Sequence, residues 1–297
     1  MAEKRIEGNT SELIKKVRRI ELKTRGLSKQ IFSGEYQSSF KGRGMAFSEV
    51  REYSAGDEIR TIDWNVTARF NEPYVKVFEE EREISAILMV DVSASDNFGT
   101  TKILKRELIA EIAAVISFSA LQNNDKIGVI LFSDKVEKFI PPKKGKSHVL
   151  RIVRELLEFQ PENTGTDINV AFEYLNKVQK KRSICFLLSD FIAPINYTQS
   201  VKVTGKRHDL IALQIFDEKE IDLPRAGLMN VRDPETGEQR WINTSSKRQQ
   251  KHYKQQFLDR EFAVSKLLKS AKVDYAKAST SDDYVKVLLQ LFKQRSR

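Results

Sequence analysis

The sequence predicts a doubly wound α/β domain built on a mostly parallel sheet. Two observations lead there. From Ile84 onward, strand-length apolar runs alternate with helix-length amphipathic segments as far as the C-terminus. The strand runs are also apolar almost throughout, as in ISAILMVD (84–91) and KIGVILF (126–132). Strands covered on both faces need that pattern, whereas a half-exposed strand would alternate.

The elements follow in order. Residues 9–25 are expected to be helical, with Asn9, Thr10 and Ser11 offering capping oxygens and Gly26 a stop. Residues 34–83 are rich in Gly, Arg and Glu and hold the strand-like pieces MAFSEVREY and YVKVFEEERE. Their apolar content is too thin for an independent core. The chain therefore reads as an N-terminal helix and short β extension over 1–83, followed by the α/β domain over 84–297. Within that domain a helix is expected over 102–121, with Leu104, Leu108, Ile112, Val115 and Ser119 on one face. After the strand at 126–132, a short strand at 135–140 should stop at Pro141 and Pro142. Helices at 147–159 and 167–180 and strands at 183–189 and 209–216 come next. Residues 223–244 read as an extended insertion turning at Asp233-Pro234-Glu235-Thr236-Gly237. A long basic helix over 247–272, a strand over 273–278 and a helix over 281–294 capped by Ser281 complete the order.

Composition narrows the class. The chain has 297 residues, 40% hydrophobic and 31% charged, an ordinary balance for a buried core. Its least polar stretch, 108–121, contains Glu111 and is too short to cross a bilayer. The opening MAEKRIEGNT has no apolar signal core, so no membrane span and a cytoplasmic location are expected. The single cysteine, Cys185, sits in SICFLL and reads as a core residue. The net charge of +10 admits a nucleic acid, an anionic surface or an acidic protein as partner. No aromatic-interleaved basic motif accompanies it, so a solvated basic face is preferred to a nucleic-acid groove.

Ligands of open α/β sheets bind beyond the carboxyl ends of the strands. The first buried strand ends in Asp91, followed by Ser93 and Ser95; the strand at 183–189 is followed by Asp190; and Thr166 lies in the loop before the helix at 167. Two carboxylates and three hydroxyls suit a hard, oxygen-seeking cation such as Mg²⁺. So few donated charges would leave the cation electrophilic and open to an incoming carboxylate. The competing reading makes Asp91, Ser95 and Asp190 caps of the following turns.

Asp91-Val92-Ser93-Ala94-Ser95 with Thr166 and Asp190 resembles the metal-ion-dependent adhesion site of von Willebrand factor A domains. That resemblance implies a Rossmann-like sheet flanked by helices, with Mg²⁺ (Mn²⁺ or Ca²⁺ as substitutes) and an acidic side chain of a protein partner completing its coordination. A second stretch, Gly42-Arg43-Gly44, Glu49–Tyr53, Gly56–Arg60, Ile62-Asp63-Trp64 and Ala68-Arg69, is similar to the signature of the bacterial family called domain of unknown function fifty-eight. This implies a chaperone-like or assembly role beside a MoxR-type AAA+ ATPase. The alternating charges of the signature read either as a docking surface anchored by Trp64 and Tyr53, or as an internal clamp with Trp64 in an interface core.

Enzyme readings fit less well. A phosphatase nucleophile at Asp91 would need an acid two residues later, where Ser93 stands. His148, His208 and His252 have no triad or zinc spacing. Gly145-Lys146-Ser147 ends like a phosphate loop, but Ile140 replaces its opening glycine and two prolines remove donors. The sequence therefore favours a non-enzymatic, metal-dependent protein binder. The alternatives are a nucleic-acid or anionic-surface binder using the basic helix, and a metal-dependent hydrolase.

Overall fold

The computed structural model describes residues 17–21, 45–80, 84–100 and 103–295. Two compact units emerge: Phe40–Ile84, and Met1–Ser39 together with Ser85–Arg297. Of the helix expected over 9–25, residues 17–21 are described and are helical; the remainder lies outside the described residues.

In the smaller unit, β1 (Met45–Glu52) pairs antiparallel with β2 (Tyr74–Glu80), with a bulge between Phe47 and Glu49. The connection carries helix α1 (Trp64–Phe70). Asp63 caps it by accepting from the Asn65 and Val66 amides, and Asn71 ends it at φ 57°. Arg51 forks onto Asp57 at 2.9 and 2.6 Å, so part of the charge pattern is spent inside this unit. Trp64 is 67% exposed and is not part of this unit's own core. It is the first residue of a two-turn helix, where capping, not burial, fixes the backbone.

In the larger unit β3 (Ser85–Asp91), β4 (Lys126–Phe132), β5 (Val136–Lys143), β6 (Ile184–Ser189), β7 (Asp209–Phe216) and β10 (Asp274–Ser279) form one sheet in the order β10-β7-β6-β3-β4-β5. All neighbours are parallel except β4 and β5. Helices α2 (Lys105–Gln122), α3 (Lys146–Glu158), α4 (Ile168–Val178), α5 (Thr198–Arg207), α6 (Lys247–Ser270) and α7 (Tyr284–Arg295) cover both faces. Ile87, Met89, Cys185, Leu187 and Ala212 bury one face in a core with residues of α4, α5 and α6. On the other, Phe186 meets Phe292 of α7 edge-on at 6.4 Å. Almost every residue of α2 from Leu108 to Ala120 is buried, as its all-round apolar sequence requires.

From β3 the chain builds outward through β4 and β5, then returns to the opposite side through β6, β7 and β10. The strand order therefore reverses between β3 and β6, and a crevice opens at their carboxyl ends.

Three local expectations are corrected. Strand β5 runs through Pro141 and Pro142 instead of stopping before them. As an edge strand it needs no outward amide donors, and Gly128 of β4 gives the prolines room. A side chain there would meet Ile140 O and Pro142 N at 2.9 Å. Helix α5 was not anticipated, because its β-branched, glycine-containing sequence is a weak helix signal. Its Gly205 lies where a Cβ would come within 3.0 Å of Ala271 O, so the missing side chain permits close packing. At α7, Asp283 accepts from the Val285 amide at 3.2 Å, while the Ser281 hydroxyl donates to Glu218 at 2.6 Å and caps nothing.

The insertion after β7 is the expected hairpin, β8 (Leu228–Arg232) against β9 (Gln239–Asn243), forming a two-stranded sheet of its own.

His208 follows α5, is buried, and finds no hydrogen-bond partner for either ring nitrogen among the described residues. Burial, helped by Arg207 and Arg182, lowers its pKa to about 4. Its neutral ring favours the folded state above the ordinary value near 6.5, and that contribution is lost as pH falls to about 4. Urea unfolding of wild type and His208→Leu at pH 7 and pH 4 should show the wild type losing roughly 3 kcal/mol more than the variant across this window.

Candidate functional site

The site is built from the ends of β3 and β6. Asp91 closes β3; its Oδ1 accepts from the Ser93 amide at 3.0 Å and its Oδ2 from the Ser189 hydroxyl at 2.7 Å. Ser93 Oγ and Ser95 Oγ lie 3.0 Å apart in the turn that follows. The Ala94 amide donates to Thr164 O at 3.1 Å, joining this loop to the one bearing Thr166. The Asp167 amide donates to Ser133 O, tying the second loop to the end of β4. Asp190 directly follows β6; its Oδ1 accepts from the Ile192 amide at 2.9 Å and its Oδ2 from Lys105 Nζ at 2.8 Å.

Asp91, Ser93, Ser95, Thr166 and Asp190 are thus gathered at one end of the sheet, each between 1% and 8% exposed. None caps α2, whose N-cap residue is Leu104. Asp91 and Asp190 each accept from the amide two residues on, the turn-capping bonds of the competing reading, which also hold the carboxylates in place.

Sequence reasoning missed three charged neighbours. Lys105, fully buried, bridges Asp190 and Glu220 at 2.8 and 2.6 Å. Glu220 also accepts from the Asp217 amide at 2.8 Å. Glu235, at the tip of the hairpin, accepts from Thr166 Oγ1 at 2.8 Å through Oε1, and from Thr164 Oγ1 at 2.8 Å through its backbone oxygen. Lys105 gave no signal, because, with Lys102 and Arg106 beside it, it reads as part of an ordinary charged helix start. Glu220 and Glu235 gave none, because their partners are 115 and 69 residues away.

Burial, then the neighbouring Asp190, push the Asp91 carboxyl well above the usual carboxylate range. Burial also raises Glu220, against the opposing pull of Lys105, and raises Glu235. Asp91, Asp190, Glu220 and Glu235 gather near the Lys105 ammonium, while Arg240 and Arg260 line the adjoining groove.

The donors fit a hard cation. Octahedral coordination with bonds of about 2.1 Å sets neighbouring oxygens roughly 3.0 Å apart, and Ser93 Oγ and Ser95 Oγ already stand 3.0 Å apart. Among the described residues no three His, Cys, Asp or Glu side chains are placed to hold a metal by themselves. A cation here would depend on the hydroxyls. Beside the site a groove of about 830 Å³ runs between Ser95, Phe98 and Ile192 on one side and Glu235 and Arg260 on the other.

Of the residues weighed for catalysis, Asp91 stands in this site, whereas His148 lies elsewhere, as does the single cysteine. His148 Nε2 sits 2.8 Å from Ile127 O, and Cys185 is buried with its thiol pushed up by burial.

Fold and site together define an α/β domain of the doubly wound kind, with its polar crevice where the strand order reverses. The chain belongs to the family described as "Protein of unknown function DUF58", whose profile matches residues 49–262. It is 29% identical over 223 residues to the uncharacterized protein Rv1480 of Mycobacterium tuberculosis, covering 74% of this chain and 70% of the relative. To the uncharacterized protein YeaD of Bacillus subtilis it is 28% identical over 109 residues, 37% of this chain and 25% of YeaD. Among solved structures it is similar to the conserved hypothetical protein BatB from Bacteroides thetaiotaomicron (TM-score 0.48, 16% identity, 72% of this chain and 98% of that one). It is also similar to the SpRpn10 VWA domain (TM-score 0.38, 14% identity, 71% of this chain and 95% of that one). Among the described residues, no helix is long and apolar enough to cross a membrane.

Removing the ammonium should expose the charge imbalance. Lys105→Met removes the counter-charge of the buried Asp190 and the partly buried Glu220 and should cost about 3–5 kcal/mol in chemical denaturation without divalent cations. Adding Glu220→Gln should recover part of that loss; additive effects in the double-variant cycle would show that Lys105 and Glu220 are uncoupled.

Proposed function

We propose that this chain is a non-enzymatic, metal-dependent protein-binding adaptor of the von Willebrand factor A type. Asp91, Ser93, Ser95, Thr166 and Asp190 would hold the cation, Mg²⁺ first, with Mn²⁺ or Ca²⁺ as substitutes. One observation carries the reading: five oxygen-bearing side chains from three separate segments of the chain are buried at one sheet end.

The residues divide the work. Asp91 and Asp190 supply charge, and their orientation is fixed by Ser189 and by the amides of Ser93 and Ile192. The three hydroxyls contribute neutral oxygens. When bound, a hard divalent cation supplies an electrophilic position that a partner's carboxylate can complete. Lys105 holds Asp190 on its far side and keeps the buried charge tolerable.

The partner we propose is a MoxR-type AAA+ ATPase, on the strength of the family signature over 42–69, with the acidic ligand residue on its surface. The basic helix α6 would contribute a charged rim. A nucleic-acid role for that helix predicts DNA binding that survives EDTA and collapses with salt. A hydrolase predicts phosphoester turnover lost in Asp91→Ala.

The test couples metal to stability and to partner. Mg²⁺ at about 100 times its Kd should raise the unfolding free energy of the wild type by about 2.7 kcal/mol. Asp91→Ala should fold and show no such rise. Capture of a purified MoxR-type ATPase should disappear in EDTA and in Asp91→Ala and return with Mg²⁺. Equal capture by wild type and variant in Mg²⁺ would sink the mechanism.

A further inference from the structure

The β8–β9 hairpin stands out as a segment with a purpose at its tip. Its base is fixed: the buried Thr244 donates from its amide to Gly227 O at 2.8 Å, and its hydroxyl accepts from the Ala226 amide at 3.0 Å. Gln250 of α6 donates to Thr244 O at 2.6 Å. Gly227 has φ 79°, a backbone conformation open to glycine that sets the angle at which the ribbon leaves the domain. Along the ribbon itself, no residue of β8 or β9 is buried. A lone two-stranded ribbon of this kind is marginal in water.

The tip, by contrast, is shaped and pinned. Asp233 Oδ1 accepts from the amides of Glu235 and Thr236 at 2.9 and 3.3 Å, and Gly237 closes the turn at φ 75°. That turn presents Glu235, which Thr164 and Thr166 grip by its backbone oxygen and its carboxylate. Nothing in hairpin packing calls for a carboxylate at this position. The Thr166 hydroxyl holds it beside a crevice that already contains Asp91 and Asp190, where Asp190 repels a further acid and Lys105 only partly offsets this.

We propose that Glu235 is a tethered ligand: the hairpin carries the chain's own carboxylate into the position a partner's acidic side chain would take, and must swing out before a partner can bind. The idea rests on the metal-site reading above. It adds regulation, since partner binding becomes a competition with an internal acid held at high local concentration. A partner would have to outbind Glu235 or capture the hairpin in its withdrawn position.

Mn²⁺ alone is the probe, used with the full-length chain. Calorimetry reads its affinity, and water-proton relaxation reads how many waters the bound ion keeps. Glu235→Ala should weaken Mn²⁺ binding about tenfold and raise the relaxation enhancement per bound ion, because water enters the vacated position. Acetate should then lower that enhancement at concentrations that leave the wild type unchanged. Glu235→Gln keeps the size and a hydrogen-bond acceptor for Thr166 but not the charge, and should follow Glu235→Ala in affinity. If both variants match the wild type in affinity and relaxation while Asp91→Ala loses Mn²⁺, the tethered-ligand idea is overturned and the metal site stands. If Asp91→Ala binds Mn²⁺ as the wild type does, both ideas fall.

Discussion

The parallel pairing of β3 with β6 is the constraint on which the rest of the site depends. Register sets Val90 beside Leu188, so Asp91 ends its strand level with Ser189 and Asp190 follows one residue beyond. Both strands are covered on their two faces, which leaves their ends as the place where polar side chains can gather. Two buried carboxylates are costly there, by several kcal/mol each in the absence of compensation. The domain offsets part of that cost with Ser189, backbone amides and Lys105, and leaves the rest.

Lys105 links this charge to the next layer of the structure. Through Glu220 it reaches the turn after β7, where Asp217 accepts from the Thr100 amide and hydroxyl and from the Thr280 hydroxyl. The loop after β3, the turn after β7 and the end of β10 therefore share one polar network. The hairpin that bears Glu235 leaves from this same region. Asp190, Lys105, Glu220 and Asp217 are thus joined by a continuous chain of hydrogen bonds.

The smaller unit follows a different logic. Val75 is buried there, while Ile59, Trp64 and Phe70 are exposed. Ion pairs such as Arg51–Asp57 and Lys76–Asp63, together with the Asp63 cap, hold its short connection. The family match begins inside this unit and ends within α6. It thus covers the charged signature from Glu49 onward and the site loops of the larger unit.

What could be read from the sequence had local causes. Continuous apolar strands announced burial on both faces, and Asp233 to Gly237 announced the hairpin turn through side-chain and glycine preferences that act within five residues. Asp91, Ser93, Ser95, Thr166 and Asp190 were legible because each stands at or just beyond a strand end or before a helix, places the α/β pattern marks in advance. The reach of β5 through Pro141 and Pro142 was not legible, since it depends on being an edge strand beside Gly128. Helix α5 was hidden because packing, not propensity, stabilises it. Lys105, Glu220 and Glu235 were invisible for a plainer reason. A charged side chain acquires its role from the partners that folding brings to it, and those partners lie far along the chain. Sequence determined which residues would end the strands; tertiary structure decided which charges would meet there, because Coulomb interactions depend on distance in space and not on separation along the chain.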